Sequence, residues 1–578
     1  MIMAGPDHST EFHLQDRPVD EGREIRATII GAGVSGICVY IRLLQYIPNI
    51  RVTILEKNPS VGGTWYENRY PGVACDIPSH VYQYTFEPNT RWTKYFSGGA
   101  EILEYVKCVA KKYKVDQKVH YDTKVTGATW NSDAGIWSVD TESVAPDGGK
   151  IKEKLDSEVL INATGILNNW KWPDIPGLHD FEGKLQHSAN WDASWDYSNQ
   201  RVALLGCGSS AIQMLPRLQA KCTSVYNFVR GGTWISQPFG STFTAEALAA
   251  GNEPGNYTYT ADELEKFSSD PKFYKDFRKA MERAINMDYP CLFPGSAEEL
   301  SGTQAIKANM KSKLAPKPGL YEALEPRFVP GCRRLTPGPG YLEALTQDNV
   351  HFIKTPITKV LKNSVVTSDG KEWEIDAIAC ATGFDTSFMP PFPIVGRHGV
   401  HMRDKWSKHA SAYMSHSVPG FPNYFIVGGP NSATGGGSLL IIFESIIGYI
   451  VKAVSKISRE HLRSMEAKET ALASWQGYLD KYFPRTVHVD ACTSWYKVND
   501  KITGLWPGSS LHARASLLNP RWEDYVYESL PGHDPLEWLG NGWTVADAER
   551  GDLSFYLDEV DYPPIPSDEV LARQPGQS

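Results

Sequence analysis

Ile25-Arg26-Ala27-Thr28-Ile29-Ile30-Gly31-Ala32-Gly33-Val34-Ser35-Gly36 is the stretch on which the reading of this chain turns. A short apolar, β-branched run enters Gly-x-Gly-x-x-Gly directly, and a helical apolar pattern follows through Leu44. A second strand, Arg51 to Leu55, then ends at Glu56, 56 − 36 = 20 residues past the last glycine. Strand, glycine turn, helix and strand with a terminal acid make a dinucleotide-binding βαβ unit. Gly31 allows the tight turn, Gly33 lets the backbone approach a pyrophosphate, and Gly36 allows close helix–strand packing. Glu56 accepts a hydrogen bond from a ribose hydroxyl. A carboxylate there repels a 2′-phosphate, so the ligand expected is FAD or NAD.

The same order of signals returns downstream. Val202 to Leu205 runs into Gly206-Cys207-Gly208-Ser209-Ser210-Ala211, a helix continues to about Leu218, and a strand Val225 to Val229 ends at Arg230. Ala211 is an allowed variant of the third glycine, and Arg230 in place of an acid favours the 2′-phosphate of NADP. The two units together predict one bound flavin and an NADPH that reduces it. Two further strands, Val159 to Asn162 and Ala377 to Cys380, each run into Ala-Thr-Gly, at 163–165 and 381–383, and bracket the second unit.

The expected class is therefore α/β: two nested Rossmann-like dinucleotide-binding domains, for FAD and NADP. The layout expected is a flexible leader (1–24), the first part of the FAD domain (25–165) and the NADP domain (166–375). The remainder, 376–578, is read as the second part of the FAD domain with a C-terminal extension. Between about 235 and 330 the strand pattern gives way to charged helical segments, a helical insertion in the NADP domain.

Composition narrows the function classes. The 578 residues are 41% hydrophobic and 22% charged, with a net charge of −9, so there is no basic field for a nucleic-acid backbone. The apolar run Ser438 to Val451 contains Glu444 and is too short to span a bilayer, which predicts a buried helix and no membrane partner. The polar segment Met1 to Arg26 does not resemble a signal peptide. Nine scattered cysteines without a Cys-x-x-Cys pair argue against a disulfide framework or a zinc site and for a reducing, cytoplasmic setting. They also argue against a dithiol relay beside the flavin: Gly62-Gly63-Thr64-Trp65-Tyr66 stands where disulfide reductases carry their redox pair. The assembly expected is a monomer or weak homo-oligomer. No metal is expected, and no Gly-x-Ser-x-Gly or His-Glu-x-x-His motif supports a hydrolase.

Phe181-Glu182-Gly183-Lys184-Leu185-Gln186-His187-Ser188-Ala189-Asn190-Trp191-Asp192 matches Phe-x-Gly-x-x-x-His-x-x-x-Trp-(Pro/Asp), and by it the chain resembles the Baeyer-Villiger monooxygenases. The resemblance runs from about Ile25 to Trp506. It implies that Gly63 to Asp76 lines the flavin, with Thr64, Trp65, Asp76 and Tyr82 in contact, and that Asp76 orients a catalytic Arg334. It further implies Arg333 beside Arg230 at the NADP phosphate, Gln213 at the nicotinamide nucleotide, and a Ser494-Trp495-Tyr496 loop that closes over NADP through Trp495. Two departures are Gly231, where the family carries Thr, and Lys497-Val498-Asn499-Asp500 after the loop.

The activity implied is an NADPH- and O2-dependent oxygen insertion beside a ketone carbonyl, through a flavin peroxide, giving an ester or lactone. An N- or S-oxygenating monooxygenase and an NADPH oxidase or redox flavoprotein are the alternatives; Trp191-Asp192 speaks against the first. His187 is either a participant in the chemistry or a satisfied interdomain histidine. The helical insertion and Tyr289 to Pro294 are the expected pocket wall.

Overall fold

A computed structural model describes residue 12 and residues 14–145, 147–239 and 255–559. Its first sheet has five parallel strands in the spatial order Tyr424–Ile426, Val159–Asn162, Ile25–Ile30, Ile50–Leu55, Val119–His120. Ile25–Ile30 lies at the centre with only Arg26 exposed, as a continuous apolar run buried on both faces requires. The helix Val34–Tyr46 covers the sheet together with Leu439–Arg459. In the latter helix Ile442, Ile446, Ile450, Val454 and Ile457 are almost fully buried at three- and four-residue spacing, one stripe of a helix turned into the core. This is the apolar run that is too short for a membrane; among the described residues no helix is long and apolar enough to cross one.

The second sheet is also parallel, in the order Val350–Ile353, Ser224–Phe228, Arg201–Leu205, Ala377–Cys380, Lys184–His187. Ala377–Cys380 therefore belongs here, whereas the sequence reading places it at the start of the returning first domain. The chain rejoins the first sheet only at Tyr424–Ile426. The two Ala-Thr-Gly strands look alike because each serves the fingerprint of its own sheet. The carbonyl oxygen of Ala163 lies 2.7 Å from where a Cβ on Gly31 would stand, and that of Ala381 lies 2.5 Å from the same point on Gly206.

The helical insertion consists of Ala261–Ser269, Pro271–Asn286, Ala297–Leu314 and Leu320–Leu324. Thr260, Asp270 and Ser296 cap the first three, each accepting a hydrogen bond from a backbone N–H in the first turn. Met281 and Ile285 pack on Val81, Tyr95 and Phe96 of the first domain, while Ile306, Met310 and Leu314 join the core of the second. The insertion thus ties the two domains together.

Two further expectations differ from the structure. The leader 1–24 is docked over its described part: Gln15 donates to Glu537 (3.0 Å), the Val19 N–H to the Trp543 carbonyl (2.8 Å) and the Arg23 N–H to the Ser458 carbonyl (3.2 Å). Residues 1–11 and 13 of the leader and 560–578 of the C-terminal extension lie outside the described residues. The cysteines are not all free, because Cys332 and Cys492 form a disulfide and the other seven remain thiols. The pair is 160 residues apart, so no local spacing could announce it.

Candidate active site between the two nucleotide folds

The first fingerprint adopts the geometry its glycines anticipate. Gly31 has φ +105°, a conformation that side chains rarely adopt, and Gly36 packs so closely that a Cβ would sit 1.9 Å from the Gly31 carbonyl oxygen. Gly33 precedes the first turn of Val34–Tyr46, whose free N–H groups and dipole favour an anion. Glu56 is buried at the end of its strand and accepts from the Ala32 N–H (2.8 Å), the Asn58 N–H (2.9 Å) and the Asn58 side chain (2.8 Å). Burial raises its pKa; the Ala32 and Asn58 amides oppose the shift. The cradle fits the ribose and pyrophosphate of a dinucleotide.

The second fingerprint repeats the geometry, with Gly206 at φ +124°. Gly208 caps the helix Ser209–Gln219, and no atom lies within 4 Å of where its Cβ would be, so its face is open to a ligand. Ser209 shares a hydrogen bond with Thr336 (2.8 Å) and Ser210 one with Tyr70. Arg230 is exposed and Arg333 half-buried. Both cations act on the Cys207 thiol, whose pKa burial raises and their charges lower. The charges of two guanidinium groups thus reach the second glycine loop.

Where the segment 72–76 of the first domain meets Gln213 on the helix of the second lies a cleft of about 200 Å³ whose walls include Gly72, Ala74, Cys75, Asp76, Gln213 and Thr336. Asp76 receives two hydrogen bonds from Arg334, Nε to Oδ2 at 2.9 Å and NH2 to Oδ1 at 2.5 Å. Burial opposes the Arg334 charge, yet the facing Asp76 carboxylate outweighs it and raises the guanidinium pKa above its already high ordinary value. Arg334 is a fixed cation at any working pH.

Tyr496, buried, also faces this guanidinium. No motif singles out its ring as a partner of Arg334; its place in the Ser-Trp-Tyr loop is the one signal that could have found it. Trp495 is half-buried, with its ring centroid 4.6 Å from that of Tyr496.

The remaining predicted residues divide by contact. Thr64 and Trp65 lie on the short helix Thr64–Glu67, and the Trp65 indole N–H donates to the Tyr82 hydroxyl at 3.3 Å. Gln213 spans the domain boundary: its amide donates to the Ala74 carbonyl (2.9 Å) and accepts from Tyr70 (2.7 Å). This contact braces the Gly72–Asp76 segment on the second domain, a role the sequence does not suggest.

His187 is fully buried, stacked on Trp170 at 4.5 Å, with Nδ1 accepting from the Ala189 N–H and Nε2 facing Thr382 at 3.2 Å. Burial lowers its pKa to about 4, so it is neutral and holds the second Ala-Thr-Gly turn. Asp192 pairs with Lys184 (2.7 Å), which pulls its pKa down to about 2.

The model of the NAD(P)-binding Rossmann-like domain matches residues 29–98. The FAD-binding monooxygenase tazF of Aspergillus terreus is 37% identical over 545 residues, 93% of this chain and 95% of that one. The chain belongs to the FAD-binding monooxygenases.

A Baeyer-Villiger monooxygenase of Streptomyces coelicolor is 31% identical, across 85% of this chain and 90% of its own. The fold is that of cyclohexanone monooxygenase from Rhodococcus sp. Phi1 bound to NADP+, with a TM-score of 0.74 at 24% identity over 88% of this chain and all of that one. In this FAD-binding monooxygenase the fingerprint at 181–192 supplies a strand of the second sheet and the buried Trp191, that is, structure around the site.

Proposed function

We propose that the chain is an NADPH- and O2-dependent monooxygenase that carries out Baeyer-Villiger oxidation: ketone, O2, NADPH and a proton become ester or lactone, water and NADP+. The observation that carries the reading is the Arg334–Asp76 pair, whose carboxylate lines the cleft, in a chain with one flavin-type and one NADP-type fingerprint. FAD would be held by Gly31, Gly33, Gly36, Glu56 and the Thr64–Trp65 turn; when bound and reduced it supplies the electrons that activate dioxygen.

Arg334 contributes a permanent positive charge. A guanidinium paired this tightly does not release a proton near neutral pH, so its part is electrostatic: it stabilises negative charge that develops on oxygen in the cleft. Asp76 is its positioning residue, since two parallel hydrogen bonds fix the plane of the guanidinium as well as its place. Arg230 and Arg333 bind the 2′-phosphate and so select NADPH. Trp495, on the loop next to Tyr496, covers the nicotinamide side and excludes water, which protects the activated oxygen from release as hydrogen peroxide.

A panel of cyclic, aryl and linear ketones, scored for substrate-stimulated NADPH consumption and for incorporation of 18O from 18O2, tests this reading. Esters or lactones bearing one labelled oxygen are expected. Labelled sulfoxide from a thioether panel with every ketone untouched would assign an S-oxygenase instead. NADPH oxidation yielding only hydrogen peroxide from all panels would leave an oxidase.

A further inference from the structure

Cys332 stands immediately before Arg333 and Arg334, and Cys492 stands three residues before Trp495. Their disulfide therefore joins the segment of the fixed cation to the loop of the lid residue. Other ties run beside it. Arg333 Nε donates to the Thr493 carbonyl (2.5 Å), the Val329 N–H to Asp490 (2.7 Å), and His488 Nδ1 faces the Gly331 carbonyl at 3.1 Å. Only the disulfide is covalent, and thus only it can be opened chemically while the polar contacts stay.

The two sulfurs are unequal. Cys332 is fully buried, whereas Cys492 is partly exposed. The Lys497 ammonium lies 3.5 Å from the Cys332 sulfur and 3.7 Å from that of Cys492, held by the carbonyls of Asp490 (2.5 Å) and Cys492 (3.4 Å). Lys497 opens the stretch Lys497-Val498-Asn499-Asp500 at which this chain departs from the loop of the family it resembles. A cation beside a disulfide lowers the cost of the thiolate that leaves when the bond is attacked.

We propose that Cys332–Cys492 is a thiol-exchange site, opened by a dithiol reductant, that sets how tightly the Trp495 loop retains NADP+. A thiolate of the dithiol attacks the exposed Cys492 sulfur, the S–S bond breaks, and Cys332 leaves as a thiolate beside Lys497 and takes up a proton. The second thiol of the reductant then displaces Cys492 as a thiol. The dithiol is oxidised to its disulfide by two electrons, and the protein gains two thiols. With the bridge closed, the lid is pinned covalently to the Arg333–Arg334 segment and NADP+ is held tightly; with it open, only the polar contacts hold the loop and NADP+ is held less tightly. The inference rests on the reading of Trp495 as the residue that covers NADP.

The test uses FAD-loaded enzyme equilibrated with oxidised or reduced dithiothreitol. Thiols titrated in denaturant should number seven after oxidation and nine after reduction, with C332S/C492S at seven in both. Reduction should weaken NADP+ binding, read by calorimetry, about 5- to 20-fold in the wild type and not in C332S/C492S. K497M should slow the appearance of the two thiols several-fold at fixed dithiothreitol.

Nine thiols after oxidation, or equal NADP+ affinity in both states while W495A of the bridged enzyme binds NADP+ more weakly, would overturn the switch and leave the lid intact. Unchanged affinity in bridged W495A would overturn the lid reading itself.

Discussion

Arg334 and Asp76 lie 258 positions apart in the chain and meet through two parallel hydrogen bonds across the boundary between the nucleotide folds. The carboxylate comes from the segment that follows the first fingerprint, and the guanidinium from the strand-free stretch that follows the helical insertion. On the proposed reading neither group works alone, because the carboxylate without its cation would be an unpaired, partly buried negative charge.

Arg334→Ala should cut ketone oxygenation by about 10² to 10³, the range for loss of one preorganised electrostatic contact. NADPH consumption should persist as hydrogen peroxide formation. Asp76→Ala should approach the same defect, and the double variant should be far less than additive, with a coupling of about 1.5–3 kcal/mol from the charged hydrogen bonds. Steady-state product and peroxide assays on all four proteins check this.

The two fingerprints should fail separately. Gly31→Ala places a Cβ 2.7 Å from the Ala163 carbonyl at φ +105°, and Gly206→Ala places one 2.5 Å from the Ala381 carbonyl at φ +124°. Each costs about 1–3 kcal/mol of local strain. The first should purify with little flavin, read from its visible absorbance. The second should keep flavin and bind NADP+ at least tenfold more weakly.

Arg230→Ala and Arg333→Ala should each raise KM for NADPH about 10- to 100-fold, the worth of one or two charge-assisted contacts. KM for NADH should stay nearly constant, since it carries no 2′-phosphate. Arg333→Ala should also loosen the 488–497 loop, because its Nε holds the Thr493 carbonyl.

Acid should destabilise the protein through its buried neutral histidines. Burial lowers the pKa to about 4 for His187, to about 3 for His80 and His416, and to about 4 for His488, from an ordinary 6.5. Each folded pKa is depressed, so the unfolded chain binds more protons between 6.5 and the folded value. The stability is fully present above about pH 6.5 and is lost as pH falls toward 4 or 3. One His187-like group accounts for up to about 3 kcal/mol of that loss. Thermal midpoints between pH 7.5 and 4.5 should fall steeply in the wild type and less steeply in His187→Gln.

The local grammar of the chain was legible without a fold. Ile25–Gly36 with Glu56, and Val202–Ala211 with Arg230, are contiguous signals in which strand, turn and terminal residue sit at fixed spacing, because a βαβ unit is built from neighbours in sequence. The helical insertion and the buried Leu439–Arg459 helix were equally available as pattern, and the expectation that Arg334 bears the chemistry came by resemblance.

The tertiary structure alone decided which sheet each Ala-Thr-Gly strand serves, since Ala377–Cys380 and Val159–Asn162 read alike and differ only in which fingerprint glycine their following alanine meets. It also decided that Gln213 braces Ala74, that Tyr496 faces Arg334, that residues 14–24 dock on the C-terminal segment, and that Cys332 and Cys492 are bonded. These are pairings between residues far apart in sequence. Their partners are chosen by how the two nucleotide folds and the insertion pack, and a one-dimensional pattern carries no term for that distance.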